Sequence, residues 1–254
     1  MARPWLVAAL VGALCLGLGA PAAAQPPPAP GGAGSRVAEV DRVVVRWWVR
    51  GRPETPRFIF ARELAFEARV EALADGIVPA PGLEVPYADK HVRAAIQRHV
   101  AESMLADLQQ ESEVEPATEA ESIAAAAKIA RHTEAARGFL ERRIGDRPGQ
   151  GRSRLAEALS AEGLTGPELD VMLRRQARAG LYLDERVAPM LEPDEAELAD
   201  VHRRGDTPYT DVPFEAARAD VKNWLIATRL ATALERYFRS ARQRVEVEIV
   251  RAAP

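Results

Sequence analysis

Two short stretches of period-two alternation bracket a chain whose other apolar patterns all repeat helically. In the first, within 36–50, Val43, Val45, Trp47 and Val49 fall on one face and Arg42, Val44, Arg46, Trp48 and Arg50 on the other. That is the pattern of a strand with one buried and one mixed face. In the second, Arg244 to Arg251, Val245, Val247 and Ile249 alternate with Glu246, Glu248 and Val250. A lone strand leaves a row of backbone groups unsatisfied and is not stable by itself. The two are therefore expected to pair with each other, with the segments around Val45 and Val247 side by side, tying both ends of a mainly α chain together.

Between these strands the period is helical. From Phe58 onward the pattern changes, and Phe66, Val70 and Leu73 share one helical face. A loop follows over 77–86, which carries Pro79, Pro81, Gly82 and Pro86. Val92, Ile96, Val100, Met104 and Leu108 recur every four residues and predict a strong amphipathic helix. The Ala-rich stretch 118–144 places Ile123, Ala127 and Ala130 on one face, with Phe139, Leu140 and Ile144 further on, and admits one long helix or two. The segment Asp146 to Gly151 breaks it. Leu155 and Leu159 mark a short helix ending at Gly163. Thr165-Gly166-Pro167-Glu168 is a capping box, opening a helix that runs to about Val187. A short helix spans 193–203. Asp211 and Pro213 then open the longest one, with Phe214, Val221, Trp224, Leu225, Thr228, Leu234 and Phe238 facing inward.

The first residues read as an address. Arg3 supplies a positive start, Leu6 to Leu18 an uncharged apolar run, and Ala22-Ala23-Ala24 a small-residue cleavage pattern. Segment 1–24 is thus expected to be a signal peptide cleaved near Ala24. The run is short for a membrane span and is followed by Pro21, and no later run of 18 apolar residues exists, so the mature chain is expected not to span a membrane. Residues 25–35, QPPPAPGGAGS, form a Pro/Gly linker with nothing to pack. The single cysteine, Cys15, lies inside the signal segment, so the mature fold must rest on its core rather than on disulfides. An Arg-rich chain with only Lys90, Lys128 and Lys222 as lysines suits a bacterial periplasmic protein. Residues 36–251 are read as one helical domain, with 117–151 as a possible insertion.

Residues in catalytic or ligand-binding patterns are sparse. Lys+Arg of 34 against Asp+Glu of 37 gives a net charge of −3, which argues against nucleic acid as a partner. There is no GxSxG, no phosphate-binding GxxxxGK[ST] and no GxGxxG, and Gly31-Gly32-Ala33-Gly34 lies in the linker. Of the four histidines, His91 and His99 stand two helical turns apart, beyond the i, i+4 spacing of paired zinc ligands, and His132 and His202 stand elsewhere. All four are expected to be solvated or half-buried. The pairs Arg142-Arg143, Arg174-Arg175 and Arg203-Arg204 are read as helix surface. No catalytic residue, metal ligand or cofactor site is expected. What remains is apolar surface. Trp47 and Trp48 point to opposite faces of a strand; one belongs to the core, and the other is packed under a helix, buried in an interface, or exposed to a non-native chain. Phe58, Phe60, Tyr182 and Met190 carry the same ambiguity, and together with Trp48 they are the candidate polypeptide-binding residues.

Several segments, in order, resemble SurA-type periplasmic chaperones. VAEVDRVVVRWWVRG and RFIFARELAFEARVEAL resemble the opening strand and helix of that family, and VRAAIQRHVAESMLADL its next helix. LAEALSAEGLTGPELDVMLRRQARAGLYLDERV carries the register L-x-x-x-L-x-x-x-G-L-T-x-x-E-L. LEPDEAELADVHRRG resembles the following helix, and PFEAARADVKNWLIATRLATALERYFRSARQRVEVEIV the C-terminal helix and closing strand. In that family and in the related parvulin-type prolyl isomerases, a rotamase domain is inserted before the C-terminal helix. Here only Asp206 to Thr210 separate Arg204-Gly205 from Asp211, too few residues for such a domain. The resemblance implies a mainly α, SurA-N-like chaperone module with paired N- and C-terminal strands. The activity it implies is ATP-independent binding of unfolded or extended polypeptides in the periplasm, without catalysis. A prolyl isomerase with a degenerate site and an adaptor docking one periplasmic partner are the alternatives.

Overall fold

The structure, a computed structural model, describes residues 41–77, 85–113, 118–145, 147 and 149–250. The expected signal peptide, its cleavage point, Cys15, the linker 25–35 and the prolines of the 77–86 loop other than Pro86 lie outside the described residues. The chain is mainly α. In order come β1 (Val43–Val49), β2 (Arg57–Phe60), α1 (Ala61–Ala74), α2 (Asp89–Ser112), α3 (Glu119–Ile144), α4 (Gln150–Ala161), α5 (Gly166–Tyr182), α6 (Glu195–Arg204), α7 (Phe214–Arg244) and β3 (Val245–Ile249). One π turn and one 3-10 turn, Leu183–Val187 and Ala188–Leu191, extend α5. Among the described residues no helix is long and apolar enough to cross a membrane.

The two outermost strands do pair. β1 and β3 run antiparallel, with Val45 opposite Ile249, Trp47 opposite Val247 and Val49 opposite Val245. A third strand, β2, lies on the other side of β1, giving the order β2-β1-β3. The sequence shows it only as the lead-in to a helix, because four residues, RFIF, are too few to declare a period. β2 pairs Ile59 with Val45 and Phe58 with Arg46, and a bulge between Val43 and Val45 shifts the register. The polypeptide passes from β2 straight into α1 at Phe60, which makes no side-chain cap. The missing cap comes from the sheet: the backbone N–H of Arg62 donates to Asp41 Oδ1 at 3.2 Å, and that of Ala61 to the Arg42 carbonyl at 2.9 Å.

The described chain divides into two compact units. The sheet-bearing unit takes residues up to Val100, Leu140–Asp170 and the C-terminal residues from Ser240. Val45, Trp47 and Ile59 fill its sheet's inner face and are buried. α1 packs on α4, and buried Arg69 on α1 donates to Glu162 at the end of α4 and to the Val85 carbonyl at 2.7 Å. The end of α3 and the start of α4 meet backbone to backbone. A Cβ on Gly151 would collide with the Glu141 carbonyl, so glycine is required there by space alone. The capping box forms as read, the Thr165 N–H donating to Glu168 Oε2 at 2.7 Å. The hydroxyl and backbone N–H of Thr165 both favour the ionised form of Glu168, while burial opposes it. The bonds from Thr165 and the charge of Arg62 outweigh it and hold this carboxyl below its ordinary range.

The helical unit takes Ala101–Phe139 and Val171–Arg239. Leu105, Leu183, Ile226, Leu230 and Leu234 form one buried cluster, and Leu198, Val201, Val221 and Leu225 a second. Asp194 caps α6 by accepting from the Glu197 N–H at 2.8 Å, and Gly205, at φ 76°, closes it. Residues 206–213 are turns closed by His202, whose Nε2–H lies 3.2 Å from the Tyr209 carbonyl and 2.9 Å from that of Val212. The stretch 118–144 is one helix, capped by Thr118. Its expected apolar face of Ile123, Ala127 and Ala130 is exposed. A long alanine-rich helix forms on propensity and capping without needing that face covered.

Candidate functional site

The structure sorts the five residues singled out for polypeptide binding into two groups. Trp48, Phe58 and Phe60 share the outer face of the sheet. Trp48 and Arg46 alternate with the inward-facing Val45 and Trp47, Phe58 stands directly across from Arg46, and Phe60 flanks inward-facing Ile59. Phe58 is 45% exposed and Phe60 41%, while Trp48 is half-buried. The Arg46 guanidinium lies 5.2 Å from the centroid of the Trp48 ring and stacks against the indole. Arg46 also donates to Glu248 on β3 at 2.6 Å, and Arg50 pairs with Glu246 at 3.2 Å. The outer face is thus an apolar strip along β2 bordered by two exposed ion pairs. On β3, Val247 and Ile249 are exposed although they lie on the same side as Val45 and Trp47. Tyr182 and Met190 belong to the helical unit. Tyr182 packs against the Leu230 cluster, and Met190, 75% exposed, stands in the 3-10 turn.

Beneath the sheet-bearing unit's surface is a polar assembly that sequence reasoning did not find. α1 carries Glu63, Glu67 and Glu71 at four-residue intervals, which puts three carboxylates in a row along one helical face. Glu67 and Glu71 are buried. Glu71 takes two arginines: Arg98 of α2 on Oε1, and Arg143 of α3 on Oε2 at 2.6 Å. Burial pushes the Glu71 carboxyl pKa up, but Arg98 and then Arg143 outweigh it and hold it below its ordinary value, with the neighbouring Glu67 charge opposing them. One turn earlier the row meets a histidine. His99 Nδ1 lies 3.3 Å from Glu67 Oε1 and 3.6 Å from Glu63 Oε1. The three donor atoms all lie within 4.8 Å of one another.

The expectation of solvated or half-buried histidines therefore fails for His91, His99 and His132, all of which are buried. His91 is structural: its Nδ1 accepts from the Ala88 N–H at 2.9 Å at the start of α2, which leaves Nε2 to donate to Asp75 at 3.2 Å. His132 stands 3.9 Å from Asp184. Two arginines read as helix surface are also drawn inward, Arg143 to Glu71 and Arg175 to within 3.7 Å of fully buried Glu102. The available signal was the repeat E-x-x-x-E-x-x-x-E within α1, a charged row on a helix that also carries an apolar face. Its partners lie on helices distant in sequence, so spacing alone could not find them. Compared with known proteins, the chain matches no family model, no curated protein and no solved structure.

Proposed function

We propose that the protein is an ATP-independent binder of unfolded or extended polypeptides, acting in the periplasm after removal of segment 1–24. The observation that carries this reading is the exposed aromatic strip on β2. Phe58 and Phe60 stand on one face of an edge strand that, among the described residues, pairs only with β1. An extended segment added beside β2 would satisfy that strand's backbone and lay alternate apolar side chains against Phe58 and Phe60. The edge is four residues long, so each contact is short and readily released, which suits transient capture of many clients. The resemblance to SurA-type chaperones supports the same reading, and no nucleotide or catalytic step forms part of it.

The test is aggregation of a chemically denatured client followed by light scattering. The purified chain should suppress scattering without nucleotide. A Phe58→Ser/Phe60→Ser double variant should lose most of that suppression with only a small drop in the thermal melt, because both side chains are exposed and neither belongs to the core. No suppression by the parent chain at molar excess would end the proposal. Capture of a single stoichiometric periplasmic partner, in place of many clients, would favour an adaptor instead.

A further inference from the structure

We propose that Glu63, Glu67 and His99 bind a divalent first-row transition-metal ion within the sheet-bearing unit. The inference is independent of polypeptide binding and rests on donor geometry. At a metal–ligand distance of about 2.1 Å, neighbouring donors stand about 3.0 Å apart in octahedral and about 3.4 Å apart in tetrahedral coordination. The 3.3 Å from His99 Nδ1 to Glu67 Oε1 falls inside that range, the 3.6 Å to Glu63 Oε1 lies just above it, and all three donors stand within 4.8 Å of one another, so small side-chain shifts would close the set on an ion. The donors also come from stiff supports. Glu63 and Glu67 project from successive turns of α1, and His99 from α2, so no loop must reorder to bring them together.

The donor set selects the class of ion. A nitrogen beside two carboxylates suits Zn2+, Mn2+, Fe2+ or Co2+. Calcium and magnesium prefer oxygen alone, and no thiolate is present to favour softer metals. Electrostatics favour a cation here as well. Two carboxylates facing one buried imidazole gain when a positive ion sits between them. The competing arrangement is a hydrogen bond in place of the metal, with the His99 Nδ1–H donating to Glu67 Oε1.

Co2+ added to the untagged full chain after chelation distinguishes the two. The expected result is saturable binding of one equivalent, with visible d–d bands of a nitrogen- and oxygen-ligated ion, and displacement of those bands by Zn2+. His99→Gln should weaken binding by more than the roughly 10- to 100-fold loss typical of an outer-shell change, whereas His91→Gln and His202→Gln should retain the bands. Glu63→Gln, at the half-buried end of the cluster, repeats the test should His99→Gln fail to fold. Absence of saturable binding by the parent chain, or binding unaltered in a folded His99→Gln or Glu63→Gln variant, overturns the proposal.

Discussion

The two units of this chain solve the problem of burial differently. In the helical unit leucine, isoleucine, valine and alanine form two buried clusters, with Leu230 and Val221 wholly buried, and the wholly buried Glu102 lies apart from them, 3.7 Å from Arg175. In the sheet-bearing unit Val45, Trp47 and Ile59 make an apolar layer, but α1 also buries charge: Glu67, Arg69 and Glu71 are all sequestered. Such charges are retained only with partners, here Arg98 and Arg143 for Glu71 and Glu162 for Arg69. An apolar cluster loses stability in proportion to the volume removed. A buried ion network fails asymmetrically, because removing one member strands the others in a low-dielectric setting.

The largest expected effect breaks that network. Glu71→Ala leaves Arg98 and Arg143 facing each other across a cavity and should cost about 3–5 kcal/mol, read as lost amide protection in α1 and α2 by hydrogen exchange. Leu230→Ala should cost about 2–5 kcal/mol, with the loss read in α7. If Glu71→Ala proved neutral, the contrast between the units would collapse.

Titration sharpens the comparison next. His132 is held below its ordinary 6.5 by burial first, then by Lys128 and Arg131. The unfolded chain therefore binds its proton more readily, so the contribution of His132 is complete above pH 6.5 and is lost as pH falls below it. Glu71, held below its ordinary 4.5, contributes fully above that pH and loses its contribution only as pH falls through its lower folded value. Hydrogen exchange across pH should show α3 weakening before α1 does, and His132→Gln should remove the earlier step. The reverse order would contradict both assignments.

The smallest expected effect is at the surface. Arg46→Ala removes an exposed pair with Glu248 and the contact with Trp48, and should shift a urea melt by no more than about 1 kcal/mol. A larger loss would mean that the outer sheet face contributes to stability as the buried network does.

How much of this was legible in the sequence varies with the range of the interaction. The capping box at Thr165 and Glu168, the helix end at Gly163, and the alternation of β1 and β3 are local, and they appear where the residues placed them. Even the pairing of β1 with β3 was legible, since two unpartnered strands leave few alternatives. The strand β2 was not, because its four residues acquire strand character only by hydrogen bonding to β1. The exposure of Ile123 shows the same limit from the other side: periodicity identifies residues that share a face, not whether anything covers it.

The candidate metal cluster marks the division most sharply. Sequence alone placed Glu63, Glu67 and Glu71 on one side of α1, because four-residue spacing in a helix leaves them nowhere else. Only the tertiary structure decided that Glu71 meets two arginines and that Glu63 and Glu67 meet His99. The fate of a buried charge depends on which opposite charge or donor the fold brings within about 4 Å, and that partner is selected by helix packing, on which local sequence carries no record.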